Sequence, residues 1–154
     1  MANVFWEVDF DWKADRMGLI DLKIQLKNRN GTTTSWALIA QLQVFKDWTP
    51  ELKASRMVNL LRQRWSSVFE VQYVNGSDDF KIRLMPNPPR PYQNWAEIHG
   101  IQKVDAQTGE GMTGVIDDPV EGEAAPMGFG FFHLSGIGDQ ERGVFSSNWA
   151  NNSR

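Results

Sequence analysis

The chain has 154 residues, a formal net charge of −3, 41 % apolar and 23 % charged residues, seven tryptophans and no cysteine. That length suits one domain, 1–154, with a core of its own, and the absence of cysteine removes disulfides, thiol nucleophiles and thiolate metal sites. The slight negative charge leaves no basic footprint for nucleic acid or an anionic lipid surface.

"MANVFWEVDFDWKADR" interleaves acids where a cleavable signal needs an apolar core, so the expected location is cytoplasmic, or outside the cell by a signal-independent route. No run approaches the roughly eighteen apolar residues of a membrane span. Within this segment Trp6, Val8, Phe10 and Trp12 alternate with Glu7, Asp9 and Asp11, the period of a half-buried strand. "LIDLKIQLK" repeats the pattern, with Ile20, Leu22, Ile24 and Leu26 inward. "NRNG" supplies turn residues that tolerate positive φ. "WALIAQLQVF" then predicts a third strand with Leu38, Ala40, Leu42 and Val44 on one face. Short connections make these three an antiparallel meander.

The period changes at "DWTPELKASRMVNLLRQRWSSVF". Thr49 can cap, Pro50 suits the first helical position and Glu51 complements the helix dipole. Leu52, Met57, Leu60, Leu61 and Trp65 form the apolar face, so one principal helix is expected over about 50–67. "FEVQYV" and "FKIRL", separated by "NGSDD", read as a hairpin. The prolines of 86–91 make a rigid connector. The Gly- and acid-rich stretch 105–126 reads as a long irregular loop. "MGFGFFHL" and "GVFSSNWANNSR" suggest short terminal strands. The fold class is therefore α+β, a mainly antiparallel sheet with the helix packed on it. Strands do not alternate with helices as a doubly wound fold requires.

Residues 127–143, "MGFGFFHLSGIGDQERG", hold one of the two histidines. Gly128 and Gly130 lack the third glycine of a dinucleotide loop, and no Lys-Ser/Thr pair follows for a P-loop. The layout resembles zincin-class metallopeptidases, including bacterial zincin-like proteins: His133 falls on the second histidine of HExxH, Gly136 on the following glycine and Asp139 on the acid. Phe129 stands in place of the first ligand and Gly130 in place of the general-base glutamate. Zinc hydrolysis needs about three ligands and an activated water, so the resemblance implies a descendant without the activity.

The remaining metal-ligand candidates are His99 and Glu97, two apart on a strand, with His133 as a further donor; no cofactor is expected. Asp9 with Asp11, Asp78 with Asp79 and Asp117 with Asp118 are the carboxylate pairs that a hydrolase could use. Ser135 lies near His133 without a nucleophile-elbow pattern. Trp6, Trp12 and Trp65 fit the core. Trp36, Trp48, Trp95 and Trp149 sit at element ends or in loops, and Trp36, Tyr92, Trp95 and Trp149 make the expected contact surface. The leading expectation is a non-catalytic interaction protein or self-assembling subunit that pairs strand edges with other protein, in the first place copies of itself. The alternatives are a zincin-derived or carboxylate-dependent hydrolase, and a glycan-binding module using Tyr92 and Trp95.

Overall fold

A computed structural model describes residues 5–10, 13, 14 and 16–106, together with the backbone of 111–115. The zincin-like stretch with His133, and also Asp11, Trp12, Asp117, Asp118, Ser135 and Trp149, lie outside the described residues.

The elements are β1 (Trp6–Asp9), β2 (Gly18–Asn28), β3 (Ala37–Val44), α1 (Pro50–Trp65), β4 (Phe69–Gln72), β5 (Asp79–Leu84), β6 (Trp95–Asp105) and β7 (Gly111–Val115). They build two antiparallel sheets, a three-stranded one in the order β1-β5-β4 and a four-stranded one in the order β3-β2-β6-β7. With one helix packed beside them, this is the α+β class.

Alternation correctly assigns the buried faces of β1 and β2: Trp6 and Val8, then Ile20, Leu22, Ile24 and Leu26, are all fully buried. Of the expected meander only the β2–β3 pair forms. β1 pairs with β5, with Trp6 opposite Ile82 and Val8 opposite Phe80, while β2 pairs with β3 and β6. Between β1 and β2 in sequence, Phe10 and Ala14 are buried. Ala14 brackets the turn ahead of α1, its N–H bonding to the Trp48 carbonyl at 2.9 Å and its carbonyl accepting from the Asp47 N–H at 2.8 Å. The Trp6 indole donates across the core to the Ile98 carbonyl at 3.3 Å. An alternating pattern selects a face; the partner strand is selected by long-range packing.

The turns follow their residue chemistry. Gly31 and Gly76 have φ of +93° and +90°, the left-handed region that Asn-Gly turns use. The second of these closes the expected β4–β5 hairpin.

On β3, the register against β2 slips at Leu22/Lys23, so that Ile39 is the extra residue between Leu38 and Ala40. This bulge turns Ile39 inward and leaves Leu38 50 % exposed, reversing the expected placement of Leu38. Two further slips on β6 make Ala96 and His99 the unpaired extra residues against β2.

Thr49 caps α1, its hydroxyl accepting from the Leu52 N–H at 3.2 Å, with Pro50 and Glu51 in the first turn and Arg62 and Arg64 in the last. The helix ends at Trp65, two residues short of the expected limit. Its buried face runs through Lys53, Ala54, Met57, Val58 and Leu61, while Leu60 and Trp65 pack half-buried on the flank. Trp95, expected at an element end, opens an eleven-residue strand. Within the stretch expected to be an irregular loop, Gly111–Val115 pairs with β6, Gly100 opposite Val115 and Val104 opposite Gly111. The ladder of such a strand is made by backbone N–H and C=O groups, which a composition rich in glycine does not remove.

Candidate functional site

Three groupings combine chemistry with a defined position. The first is a buried cationic layer. Lys53 from α1 and Lys103 from β6 are both buried, with their ammonium groups 5.7 Å and 4.3 Å from the centroid of the Phe10 ring. Lys103 also donates to the Asp9 carbonyl, tying β6 to β1. Nearby, buried Asp105 pairs with Arg16 at 3.1 Å. Cation–π contacts and charge-assisted bonds offset the cost of removing these ammoniums from water. Local pattern does not reveal this layer, because a lysine in a strand or an amphipathic helix reads as an outward residue.

The second grouping is a carboxyl pair on the outward face of the three-stranded sheet. Glu7 of β1 stands opposite Lys81, and Asp9 opposite Asp79. A hydrogen bond to Asp79 is the main cause that pushes Glu7 up to about 7, with burial and the negative charges of Asp79 and Asp78 adding to it and Lys81 opposing. For Asp79, burial works upward, but the hydrogen bonds from Glu7 and Ser77 outweigh it, with Lys81 helping, and hold the carboxyl below its ordinary range. Near neutrality the two groups therefore share a proton. Of the carboxylates singled out from sequence, Asp9, Asp78 and Asp79 do gather here, and the decisive partner is Glu7, one of the acids that alternate with the inward residues of β1. Along the same face, Arg83 bonds Glu70 at 2.9 Å and lies 4.4 Å from the Phe5 ring.

The third is a groove between β3 and α1. Among the described strands β3 has β2 as its one neighbour, so its other side is a sheet edge. Beside that edge lies a cavity of about 500 Å³, bordered on the strand side by Gln41, Leu42, Gln43 and Phe45 and on the helix side by Arg56, Asn59, Leu60 and Gln63, with Trp48 at one end. A second cavity of about 290 Å³, sharing Gln41 with the first, is bordered by Leu38, Ile39, Ala40, Arg64 and Trp65. The Trp65 indole donates to the Ile39 carbonyl at 2.8 Å, which fixes the helix to the strand at that end. At the other, Phe45 and Trp48 rings pack 5.6 Å apart, and Phe45 stays 47 % exposed.

The expected contact aromatics are distributed differently. Tyr92 and Trp95 pack ring to ring at 4.7 Å, Tyr92 also meets Trp65 at 5.9 Å, and both are half-buried against the core. Trp36 is half-buried just ahead of β3. Glu97 is buried opposite Lys27; burial pushes its carboxyl up and Lys27 pulls it partly back. His99 occupies a bulge, which takes it out of the simple two-residue alternation with Glu97. Among the described residues no three of His, Asp and Glu converge as a metal site, and no helix is long and apolar enough to cross a membrane. Comparison with protein-family models, with curated proteins and with solved structures found no match to this chain.

Proposed function

We propose that this protein is a non-catalytic interaction module that captures an extended polypeptide by adding it as a strand to the edge of β3. The observation that carries the reading is the β3 edge itself. It is eight residues long, "ALIAQLQV", without a charge or a proline, and has exposed Leu38 and Phe45 at its two ends. Sheet edges are ordinarily blunted by lysine, proline or a covering element, because free N–H and C=O groups template pairing. Here α1 meets the strand at one end, where the Trp65 indole holds the Ile39 carbonyl, and the larger cavity borders Gln41, Leu42, Gln43 and Phe45. Main-chain pairing supplies affinity, and the groove walls read alternate side chains.

The half-buried packing of Tyr92 and Trp95 against Trp65 and the core weighs against a glycan platform, which needs open ring faces. Glu7 holds a proton near neutrality and could act as an acid, but its surroundings are an outward strand face rather than the β3–α1 cleft.

Panning a displayed library of random twelve-residue peptides tests the reading. Enriched peptides should alternate apolar with polar residues and should lose binding to a Leu38→Lys, Phe45→Lys double variant. Failure to enrich any sequence, or enrichment of peptides indifferent to that variant, would refute it.

A further inference from the structure

We propose that the β3–α1 groove is selective for an extended segment of another polypeptide carrying two carboxylates four residues apart, with an apolar side chain midway between them. The proposal rests on the strand-addition reading and supplies what that reading leaves open, the chemistry of the donor strand. Among the described residues, the charged side chains bordering the two cavities are Arg56 in one and Arg64 in the other, and no acid borders either. Among the described residues no carboxylate pairs with either guanidinium; Arg56 rests over the Trp48 ring at 5.5 Å. Two cations over an apolar floor of Leu60, Trp48 and Phe45 therefore await anionic partners that this part of the chain does not provide.

The spacing follows from helix and strand geometry. The α1 axis runs along β3 in the opposite sense, because Arg56 borders the cavity with Phe45 and Trp48 while Trp65 is bonded to Ile39. Arg56, Leu60 and Arg64 recur every four residues, so they form one stripe on the helix. Eight residues at about 1.5 Å each set the two guanidinium attachment points roughly 12 Å apart. An added strand advances about 3.4 Å per residue, and every second side chain points to the helix side. Positions i and i+4 of that strand are then about 14 Å apart on the same face, whereas i and i+2 reach only about 7 Å. Position i+2 falls opposite Leu60 and takes the apolar side chain.

The same charges disfavour a second copy as the donor. Pairing β3 with its own copy about a two-fold axis places Arg56 and Arg64 of both molecules along one seam, four cations with no acid from either lining, and like charges in juxtaposition oppose association.

Fluorescence anisotropy of a labelled Ser-Glu-Thr-Val-Thr-Glu-Ser peptide tests the proposal, with three unlabelled competitors: both Glu replaced by Gln, both replaced by Lys, and the second Glu moved to two residues from the first. The Glu peptide should bind about five- to tenfold more tightly than the Gln form, in a salt-dependent manner, and more tightly than the form with the shorter spacing. An Arg56→Glu, Arg64→Glu variant should reverse the order and prefer the Lys peptide; both positions are exposed, so losing the Trp48 contact and the favourable charge in the last turn should lower its melting temperature by only a few degrees. Equal binding of Glu and Gln peptides, or no reversal in the variant, would overturn the acidic-donor proposal while leaving strand addition standing. Absence of binding by every peptide, together with a failed library selection, would remove both. A light-scattering mass at a multiple of 17.6 kDa that falls to 17.6 kDa in the Leu38→Lys, Phe45→Lys variant would identify a second copy as occupant and overturn the proposal.

Discussion

Replacing Glu7 by glutamine should flatten the dependence of stability on pH between about 5 and 8. The Glu7 carboxyl stands at about 7 in the folded chain against an ordinary 4.5, so the folded state holds this proton more tightly than the unfolded state. Its stabilising contribution is complete below about 4.5, fades as pH rises through 7 and is absent above that. Asp79 acts in the opposite sense: held low, it contributes above its ordinary value of 3.8 and loses that contribution only on further acidification, outside this window. At about 1.36 kcal/mol per pH unit the full displacement of Glu7 corresponds to about 3.4 kcal/mol. On an outward strand face, solvent screening reduces this to roughly 1 kcal/mol, equivalent to about 2–4 °C in melting temperature for a chain of this size. Glutamine keeps a side-chain donor for Asp79 and removes the titration. Urea unfolding followed by tryptophan fluorescence at pH 5 and pH 8 gives the stability difference for each protein. The difference should shrink by roughly 1 kcal/mol in Glu7→Gln. Glu97 is also held high, so the parent slope contains both groups and only the comparison isolates Glu7. An unchanged pH dependence in the variant would refute the shared-proton account.

Trp65→Phe removes the indole N–H that satisfies the Ile39 carbonyl and should cost about 1 kcal/mol by chemical denaturation. Met57→Ala, at a fully buried helix position, should cost about 2–5 kcal/mol in the same assay through cavity formation. Trp95→Ala breaks the ring contact with Tyr92 and should lower the melting temperature by several degrees while leaving groove binding intact; an unchanged melting temperature would show that Trp95 is not part of the packed core.

Much of the architecture is legible from local chemistry. Thr49, Pro50 and Glu51 mark the start of α1, Asn-Gly pairs mark the turns at Gly31 and Gly76, and alternation marks the inward faces of β1 and β2. What escapes a local reading is set by contacts distant in sequence. Nothing within residues 6–9 distinguishes pairing with β2 from pairing with β5, 70 or more residues away. The Ile39 bulge changes the side of Leu38 without a glycine to announce it. Lys53 and Lys103 are buried because each finds Phe10, and that coincidence depends on three separate elements. The candidate site shows the same division. A strand without charge can be read along "WALIAQLQVF", whereas its edge position follows from the sheet order and the groove exists only once α1 lies beside it with Arg56, Leu60 and Arg64.

Amide hydrogen exchange, resolved residue by residue by NMR with and without saturating Glu peptide, tests the central account most directly. Free-edge amides of β3, at alternate positions within Ala37–Val44, should slow by an order of magnitude or more, about what a new main-chain bond gives, with amides of the three-stranded sheet unaffected. A bound peptide that leaves the β3 amides exchanging as before, or protects β1 or β4 instead, would contradict it.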